Sequence, residues 1–465
     1  MIAQQPTQEQ YDFINFEGEE SVILKATAGS GKSKSFVDRL NKMLADGVNP
    51  DRIIFFSFTN DAVKELKTRI NAPVRITTIH SYTSSQLGNM KKFKPIVTFY
   101  MFATWYKENY KPKPYDPIKK RMDYQNNLNK FYEDGNQISS LFSAYKLQTA
   151  DTVKVAKPKF YDEYKKFLFD TFSRDFSDLL LETERLSKNP QYVHFFADTY
   201  DYVFIDEYQD TSTIQLKILL AIKAKQYYLA GDENQSIFSF SGANCDAIEQ
   251  LLKQHKSVVK FTLSKNFRSK VALVEHSNTF SNLQAIPHST ENGILELPMI
   301  DEDTLFEMLK DDEPVAVLVR TNKVIKELEK KCLKKKIKMK YFNYFSPEDV
   351  EMIKEGGRKI NPSIKKKLEA VSSYFGGDDK LIAFIEGNQN SESFITSIHK
   401  SKGREYSRVV VVNSFSPEQL MDTPDLWEDY SFINASGEED IEARNVHYVA
   451  CTRAKDEQYF LMYEE

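Results

Sequence analysis

The sequence predicts an α/β protein with two parallel-sheet domains, each carrying a mainly helical insertion. Short apolar runs that suit buried strands, such as 21–27 and 52–59, are followed by segments whose apolar residues have helical spacing. Strand and helix alternating in this way favour a parallel sheet covered on both faces. A second series of apolar runs at 258–264, 314–320 and 408–414 predicts a second sheet of the same kind.

Two insertions are predicted where this alternation stops. The segment 86–190 is rich in Tyr, Phe and Lys and looks mostly helical, and 331–389 is rich in lysine with a helical pattern. The predicted domains are therefore 1–85 continued by 191–262, with the insertion 86–190, and 263–330 continued by 390–465, with the insertion 331–389.

Composition narrows the class of protein. With 465 residues, 41% of them hydrophobic and 28% charged, the chain is typical of soluble globular proteins. The sequence contains no apolar run long enough to span a membrane, and it starts with polar residues, so we expect no membrane partner. The three cysteines are far apart and predict a reducing, cytoplasmic location. The net charge of -4 does not point to nucleic acid, although a local basic groove is compatible with it.

The stretch "ATAGSGKS" at 26–33 has the pattern of a phosphate-binding loop, because it follows a predicted strand and opens a predicted helix. Its glycines let backbone N–H groups curl around phosphate oxygens. Lys32 supplies positive charge to the terminal phosphates, Ser33 can ligate Mg²⁺, and the helix start adds a favourable dipole. The predicted nucleotide-binding residues of this loop are Ala26, Thr27, Ala28, Gly29, Ser30, Gly31, Lys32 and Ser33.

Two acids end the apolar strand predicted within "VFIDEYQD" at 203–210. Asp206 is a candidate ligand for Mg²⁺, which prefers carboxylate and hydroxyl oxygens. Glu207 could orient or deprotonate a water molecule. An apolar strand ending in Asp-Glu is often only a strand terminus, but beside a phosphate loop it predicts nucleoside-triphosphate hydrolysis. A nucleotide kinase or a transporter ATPase remains an alternative on these two motifs alone.

Eleven short segments follow one another along most of the chain. They are "PTQEQ" (6–10), "ATAGSGKS" (26–33), "SFTNDAV" (57–63), "TTIHSY" (77–82), "DFSDLLLE" (175–182), "IDEYQDTS" (205–212), "AGDENQSIFSFSGA" (230–243), "LSKNFRS" (263–269), "VAVLVRTN" (315–322), "SIHKSKGREY" (397–406) and "HYVACTRAK" (447–455). In this order they make the chain resemble the UvrD/Rep/PcrA group of superfamily 1 helicases. The resemblance implies two RecA-like domains of the P-loop NTPase class, and a kinase or transporter would leave most of the segments unexplained.

The resemblance assigns four residues to the base and sugar of the nucleotide. Gln10 resembles the residue that reads the adenine edge, since an amide can pair with a donor beside an acceptor. Phe267 resembles the aromatic residue that stacks on the base, and Glu405 resembles a contact to the ribose. Lys34 stands where an arginine is common, and we include it among the nucleotide-binding residues.

The resemblance also completes a catalytic set with Lys32 and Glu207. Gln235 resembles the sensor of the γ-phosphate. Arg268 and Arg453 resemble two arginine fingers of the second domain, each placing a planar charge against the transferring phosphoryl group.

The resemblance also implies contacts with single-stranded DNA, for which aromatic residues are suited because a base offers a π-face whatever its sequence. Phe238 replaces a common Tyr, Phe240 a common Trp and Ser241 a common Arg, and these changes should weaken the grip on DNA. The predicted DNA-binding residues are Phe58, Asn60, His80, Phe238, Phe240 and His399. Phe58 ends a predicted strand, and packing beneath the sheet is its alternative.

The second insertion is shorter than in the larger relatives and contains "KKCLKKKIKMK" at 330–340, with seven lysines. A run of charges usually forms a solvated helix face. Contact with the phosphates of a duplex or a single strand is the alternative.

These observations predict an ATP- and Mg²⁺-dependent DNA helicase that moves along single-stranded DNA, and the resemblance alone implies that it moves 3′→5′. Its expected partners are single-stranded and tailed duplex DNA and a protein such as a nuclease or a replication or repair factor. Its expected location is the cytoplasm of a bacterial or phage-infected cell. The alternative is a nucleic-acid-gated switch subunit that regulates a partner nuclease, as in the helicase subunit of Gabija-type systems.

Overall fold

The computed structural model describes residues 5–70, 72–92, 94–133, 135–147, 156–237, 245–355, 362–415 and 440–464. Contacts divide the chain into two compact units. Unit 1 comprises Met1–Ala26 and Lys32–Leu263, and unit 2 comprises Thr27–Gly31 and Ser264–Glu465. The finer division into domains and insertions stays a prediction.

The strands of unit 1 are β1 (Ser21–Ala26), β2 (Ile53–Phe56), β3 (Arg75–Thr77), β4 (Tyr202–Asp206), β5 (Gln226–Gly231) and β6 (Val258–Leu263). They form one six-stranded sheet in the order β3-β2-β4-β5-β1-β6, and all its neighbouring strands pair in parallel. Strands β2 and β5 are buried along their whole length, as expected of a parallel sheet covered on both faces. The predicted α/β class is confirmed for this unit.

The described helices of unit 1 precede, connect and follow these strands along the chain, and α5 to α8 come between β3 and β4. Helices α5 to α8 share an aromatic core in which Phe102 is fully buried, with its ring 5.4 Å from that of Phe131 and 5.3 Å from that of Tyr164. The abundance of Tyr and Phe noted in the sequence therefore serves packing here. The helices are α1 (Gln8–Ile14), α2 (Lys32–Ala45), α3 (Asn60–Arg69), α4 (Ile79–Asn89), α5 (Phe99–Asn109), α6 (Ile118–Glu133), α7 (Gly135–Leu147), α8 (Tyr161–Asp170), α9 (Phe176–Ser187), α10 (Thr213–Leu220) and α11 (Cys245–His255).

One predicted strand belongs to the other sheet. The run 258–264 was expected to begin the second series of strands, and that expectation is wrong. It forms β6, which pairs in parallel with β1 along its whole length, from Ser21 opposite Val258 to Ala26 opposite Leu263. Pairing is decided by residues far apart in sequence, and an apolar run carries no mark of its partner.

Unit 2 is built on a five-stranded sheet in the order β11-β10-β12-β13-β9, in which neighbouring strands again pair in parallel. The short strands β7 and β8 form a separate parallel pair. The predicted second sheet is thus confirmed, with its members β10 and β12 at the predicted runs. The strands are β7 (Lys265–Asn266), β8 (Ile286–Pro287), β9 (Ile294–Ile300), β10 (Val315–Val319), β11 (Phe394–Ser397), β12 (Tyr406–Phe415) and β13 (Ala454–Glu464).

The described helices of unit 2 are α12 (Val271–Asn278), α13 (Glu302–Met308), α14 (Asn322–Lys334), α15 (Pro347–Glu355), α16 (Pro362–Val371), α17 (Asp378–Gly387), α18 (Ile398–Ser401) and α19 (Ile441–Cys451). Apolar residues of α14, α16 and α17 join the same core as β10. Across the described parts of both units, no helix combines the length and apolar character that crossing a membrane requires.

The lysine-rich stretch 330–340 folds as the end of α14 and the segment after it. Its apolar residues, among them Cys332 and Leu333, are buried in the core of unit 2. Lys331 lies 2.7 Å from Glu302, and Lys335 lies 3.3 Å from Asp303. These lysines pair with acids, and the apolar residues between them are buried. The arrangement therefore favours a solvated helix face over a surface that binds phosphates.

Glu249 on α11 is expected to make unit 1 sensitive to acid. Its carboxylate lies 3.0 Å from Lys25 Nζ and also pairs with Lys260. Burial raises the pKa of Glu249, but the hydrogen bonds from Lys260 and Lys25 outweigh burial and lower the pKa from 4.5 to about 2. Because the folded pKa lies below the unfolded one, this stabilisation is complete above pH 4.5 and is lost as the pH falls toward 2.

The substitution Glu249→Gln should therefore lower the free energy of unfolding at pH 7 by about 1–2 kcal/mol, after allowance for solvent screening. It should also flatten the loss of stability in acid. Urea unfolding of both proteins at a series of pH values measures this difference. Parallel curves for the two proteins between neutral and acid pH would contradict the expectation.

Candidate functional site

Several predicted site residues follow the carboxyl ends of the strands of the first sheet. The loop 26–33 follows β1, Glu207 follows β4 and Gln235 follows β5, while Phe58 follows β2 and His80 follows β3. Ligands of parallel α/β sheets bind at this edge. The strand order places β1, β4 and β5 together and β2 beside β3, so Phe58 and His80 follow neighbouring strands.

The phosphate loop depends on its two glycines. Gly29 and Gly31 have φ values of 72° and 78°, in the left-handed region that glycine enters without steric penalty. The backbone N–H and the side chain of Ser30 both donate to the Thr27 carbonyl, at 3.2 and 2.7 Å, which closes the turn. The curl that the sequence predicted around a phosphate is therefore present in the backbone.

Two carbonyl oxygens of the loop are bound within unit 2. Asn266 Nδ2 donates to the Ala28 carbonyl at 2.9 Å, and the Phe267 N–H donates to the Gly29 carbonyl at 2.8 Å. Phosphate would instead be bound through N–H groups of such a loop, so these contacts fix the loop from its carbonyl side.

Lys32, at the start of α2, joins the loop to the two acids. Its Nζ lies 2.9 Å from Asp206 Oδ1 and 2.7 Å from Glu207 Oε1. Burial alone would lower the pKa of Lys32, but the two carboxylates outweigh burial and raise the pKa well above its usual value. Lys32 therefore stays charged between the two carboxylates, and its contact with the terminal phosphates of a nucleotide stays a prediction.

The oxygen atoms beside Lys32 suit a hard cation. Ser33 Oγ donates to Asp206 Oδ2 at 3.2 Å, so a hydroxyl and a carboxylate from separate elements converge at one place. Mg²⁺ prefers such oxygen ligands and completes its shell with water and substrate phosphates. The residues present thus fit the magnesium ion that the sequence implies.

Glu207 is held by a residue that the sequence analysis missed. Its backbone is in the left-handed region, with φ 56°, and its Oε2 accepts a hydrogen bond of 2.5 Å from Gln209 Nε2. Gln209 Oε1 in turn accepts from the Asp232 N–H at 3.2 Å, and Asp232 Oδ2 accepts from Gln235 Nε2 at 2.8 Å. Glu207 and Gln235 are therefore connected through hydrogen bonds. Gln209 lies within the motif "IDEYQDTS", but only its complete burial and its hydrogen bonds to Glu207 and Asp232 distinguish it from its neighbours.

Gln10 and Lys34 make local contacts. Gln10 is buried, and its Oε1 accepts from the Thr7 N–H at 3.0 Å in a capping box at the start of α1. Lys34 Nζ is exposed and donates to Asp38 one helical turn away, at 2.8 Å. Their predicted contacts with the nucleotide stay predictions.

Arg268 and Glu405 meet within unit 2. Arg268 Nε donates to Glu405 Oε2 at 2.8 Å, and one of its terminal nitrogens donates to the Thr452 carbonyl at 2.9 Å. The charge of Arg268 is thus held in a defined direction by an acid and a carbonyl. Both residues were predicted to contact the nucleotide, and the structure brings them together.

The Arg453 side chain is more deeply buried than expected of an arginine finger that projects from the surface. Its side chain is only 1% exposed, and its Nε donates to the Val449 carbonyl at 2.9 Å. Its terminal nitrogens donate to the Arg404 carbonyl at 3.2 Å and to Thr452 Oγ1 at 2.9 Å. The predicted finger role requires these backbone contacts to change, and it stays a prediction.

Two other predicted residues lie in unit 2. The Phe267 ring is half-buried and lies 4.9 Å from that of His288. His399 lies in the short helix α18 and is half-buried. The roles of Phe267 in base stacking and of His399 in DNA contact stay predictions.

Phe58, Asn60 and His80 are the predicted DNA residues of unit 1 that the structure describes, and they line one cavity of about 670 Å³. Phe58 is 42% exposed, so it does not pack beneath the sheet, which its place at a strand end had left open. Burial lowers the pKa of His80, which keeps its imidazole neutral at pH 7. The cavity is lined by Phe58, Thr59, Asn60, Thr78, His80, Ser81, Ser84, Ile96 and Phe176.

Phe176 is an aromatic residue that lines this cavity and that the sequence did not predict as a site residue. It begins α9, is 50% exposed, and its ring stands edge-on to that of His80 at 5.1 Å between centroids. Its segment, "DFSDLLLE", was noticed, but without a role. Three rings, of Phe58, His80 and Phe176, therefore border one space among hydroxyl and amide groups, an arrangement suited to stacked bases and a sugar-phosphate backbone.

Phe238 and Phe240 lie outside the described residues. Their predicted stacking on DNA stays a prediction based on the motif "AGDENQSIFSFSGA".

Two family models match the chain. The UvrD/REP helicase N-terminal domain matches residues 6–256, and the UvrD-like helicase C-terminal domain matches residues 379–465. The first of these matches covers more than half of the sequence. The predicted RecA-like, P-loop fold of the two sheets is thereby confirmed.

Individual relatives carry helicase names. The chain is 30% identical over 284 residues to the "Probable DNA helicase II homolog" of Rickettsia felis, covering 56% of this chain and 42% of that protein. It is 26% identical over 279 residues to the ATP-dependent DNA helicase PcrA of Bacillus subtilis, covering 55% and 37%. It is 27% identical over 341 residues to the ATP-dependent DNA helicase Rep of Buchnera aphidicola, covering 69% and 51%. The matches thus span about half the length of these relatives or less.

Proposed function

Because the chain belongs to the UvrD/Rep/PcrA family of superfamily 1 helicases, we propose that it is an ATP-hydrolysing DNA helicase. In this proposal it uses ATP and Mg²⁺ to move 3′→5′ along single-stranded DNA. The direction of movement rests on the family alone. Tailed duplex DNA, a protein partner such as a nuclease or a replication or repair factor, and a cytoplasmic place of action remain predictions from the sequence.

The observation that carries the proposal is the arrangement around Lys32. Its ammonium group lies 2.9 Å from Asp206 and 2.7 Å from Glu207, at the end of a phosphate loop with the required backbone curl. Nucleoside-triphosphate hydrolysis needs a phosphate cradle, a cation site and a group that handles the attacking water. Lys32, Asp206 and Glu207 lie together at one edge of the first sheet, and the loop directly precedes Lys32 in the chain.

Each residue then has a role. The loop N–H groups and Lys32 hold the β- and γ-phosphates, and Ser33 and Asp206 are the residues that would hold Mg²⁺. That ion, when bound, neutralises charge on the phosphate oxygens. Glu207 orients the attacking water and accepts its proton, and Gln209 holds the carboxylate that does so.

Gln235 is proposed to report the state of the nucleotide. It is connected to Glu207 through Asp232 and Gln209 by hydrogen bonds of 2.5 to 3.2 Å. Loss of the γ-phosphate would alter the hydrogen bonds of Glu207. This change would pass through Gln209 and Asp232 to the turn that carries Gln235. The stretch that follows this turn contains Phe238 and Phe240, the predicted DNA platform. Arg268 and Arg453 are proposed to add positive charge to the leaving phosphoryl group.

The DNA is proposed to cross the cavity bordered by Phe58, His80 and Phe176. Aromatic stacking grips any base, at about 1–3 kcal/mol per base. The neutral imidazole of His80 can stack or donate one hydrogen bond without requiring a particular sequence. The hydroxyl and amide groups of the rim can bind phosphate oxygens.

The deciding experiment is strand displacement with matched 3′-tailed and 5′-tailed duplexes, with ATP and Mg²⁺ present. The proposal expects ATP-dependent displacement of the 3′-tailed duplex. Displacement of the 5′-tailed duplex alone would overturn the direction. DNA-stimulated ATP hydrolysis without displacement of either duplex would instead favour a switch subunit that regulates a partner.

The substitution Phe58→Ala should weaken binding of single-stranded DNA by roughly 5- to 150-fold, which is the loss of one stacked base. Phe176→Ala should act in the same direction. Fluorescence anisotropy with a labelled oligonucleotide measures both, and nucleotide affinity should be unchanged.

Phe169→Ala is the matched control. Phe169 is another phenylalanine of unit 1, is 84% exposed, and does not line the cavity. Equal losses of DNA affinity in the control and in Phe58→Ala would contradict a specific platform at this cavity.

A further inference from the structure

A cluster of two histidines and a cysteine lies in unit 2, among residues that the proposed function does not use. His276 comes from α12, and His447 and Cys451 come from α19. One ligand atom from each residue lies within 4.8 Å of the other two. His447 and Cys451 are buried and His276 is half-buried.

Helix geometry explains how two of these residues meet. His447 and Cys451 are four residues apart on α19, so their side chains lie on the same face, one turn apart. Helix α12 supplies His276 opposite that face. The positions of the cysteines in the sequence could not reveal this cluster, because His276 is distant in sequence from His447 and Cys451.

The cluster has apolar walls. The His447 ring lies 4.6 Å from that of Phe280, and the His276 ring lies 5.3 Å from that of Phe460. Burial lowers the pKa of His276 to about 4, and burial followed by the nearby His276 lowers the pKa of His447 to about 3.

One nitrogen of the cluster lacks a hydrogen bond: His276 Nε2 is buried and makes none. The fully buried Gln458 side chain lies beside the Cys451 thiol and interacts with it. Buried polar groups are nearly always satisfied in folded proteins, so the unsatisfied nitrogen of His276 near a thiol indicates that a partner belongs there.

We propose that His276, His447 and Cys451 bind a borderline-soft transition-metal ion, of which Zn²⁺ is the representative. Zn²⁺ takes imidazole nitrogen and thiolate sulfur in tetrahedral sites, and amide oxygen or water can complete the shell. Ligand atoms of such a site lie roughly 3.3–3.6 Å apart, so side-chain shifts of about 1 Å close the present cluster. The thiol proton passes to solvent as sulfur binds the metal, and the oxidation states do not change.

The bound ion would join α12 to the carboxyl end of α19. Cys451 is followed by Thr452, whose carbonyl accepts the hydrogen bond from Arg268. A metal at Cys451 would therefore stiffen the segment that holds this arginine. The stabilisation of unit 2 requires no nucleotide or DNA, so its test does not depend on the proposed helicase activity.

The test is titration of the full chain, freed of metal by a chelator, with Co²⁺ as the spectroscopic probe. We expect one Co²⁺ per chain, with the absorption of a tetrahedral ion and a sulfur-to-cobalt charge-transfer band. Zn²⁺ should bleach both features and raise the melting temperature. Cys451→Ser should abolish the charge-transfer band, and His276→Phe should weaken binding by at least tenfold.

Cys245→Ser is the matched control, because Cys245 is a half-buried cysteine of unit 1 outside the cluster. It should keep the full spectrum. Failure of the wild-type chain to bind Co²⁺ or Zn²⁺ in a saturable, stoichiometric way overturns the proposal, whether or not the variants fold. A charge-transfer band that survives Cys451→Ser and vanishes in Cys245→Ser overturns it as well.

Discussion

Replacing Lys32 with alanine is expected to lower the rate of DNA-stimulated ATP hydrolysis by about 10²- to 10³-fold, the loss typical of a preorganised charge removed from a reacting site. The ammonium group lies between the carboxylates of Asp206 and Glu207. Without it, the terminal phosphates would meet two carboxylates with less positive charge beside them. Nucleotide affinity should fall together with turnover. A steady-state assay with saturating single-stranded DNA and varied ATP measures both.

Lys42→Ala is the control for this change. Lys42 lies on the same helix, α2, and its Nζ makes a 2.7 Å contact with Asp46 one turn away on the protein surface. Its loss should leave turnover within about twofold, because exposed ion pairs contribute little. Near-normal turnover in Lys32→Ala would mean that the loop at 26–33 does not hold the reacting phosphates.

The substitution Glu207→Gln is expected to lower turnover by about 10²- to 10⁴-fold while nucleotide binding is retained. The amide keeps the size of the side chain and can still bond to Gln209, but it cannot accept a proton from water. Turnover should therefore fall while nucleotide binding is retained, whereas Lys32→Ala should lower both. Single-turnover hydrolysis, combined with equilibrium binding of a labelled nucleotide, measures this separation.

Glu184→Gln is a control of the same chemistry. Glu184 lies on α9 in unit 1, where it pairs with Lys188, and its neutralisation should leave hydrolysis unchanged. Turnover by Glu207→Gln close to that of the unaltered chain would remove Glu207 from its role with water. Loss of nucleotide binding in Glu207→Gln would instead indicate that the carboxylate mainly holds Lys32 in place.

Short motifs named the residues that the structure brings together around Lys32. The loop glycines, Lys32, Ser33 and the acids after β4 could be recognised because each belongs to a short motif tied to a strand end. The parallel sheet then brings those strand ends to one edge. Phe58 and His80 were named through the resemblance alone, and the pairing of β2 with β3 shows why they lie near each other.

Residues without a motif of their own could not be predicted. The sequence gives no reason to single out Gln209. In the structure its amide forms hydrogen bonds with both Glu207 and Asp232. Phe176 gained a possible role only through its contact with His80. Arg453 had the motif of a projecting finger, and its burial against backbone carbonyls was not visible in that motif.

The sequence by itself determined the α/β class, the two parallel sheets and the phosphate loop with its acids, because these depend on local periodicity and on short motifs. The tertiary structure decided that β6 belongs to the first sheet, that the lysines of α14 surround a buried face, and that Phe58 is exposed. It also decided that His276 meets His447 and Cys451. The physical reason is the same in each case: pairing, burial and clustering depend on residues distant in sequence, and only the packed chain brings them into contact.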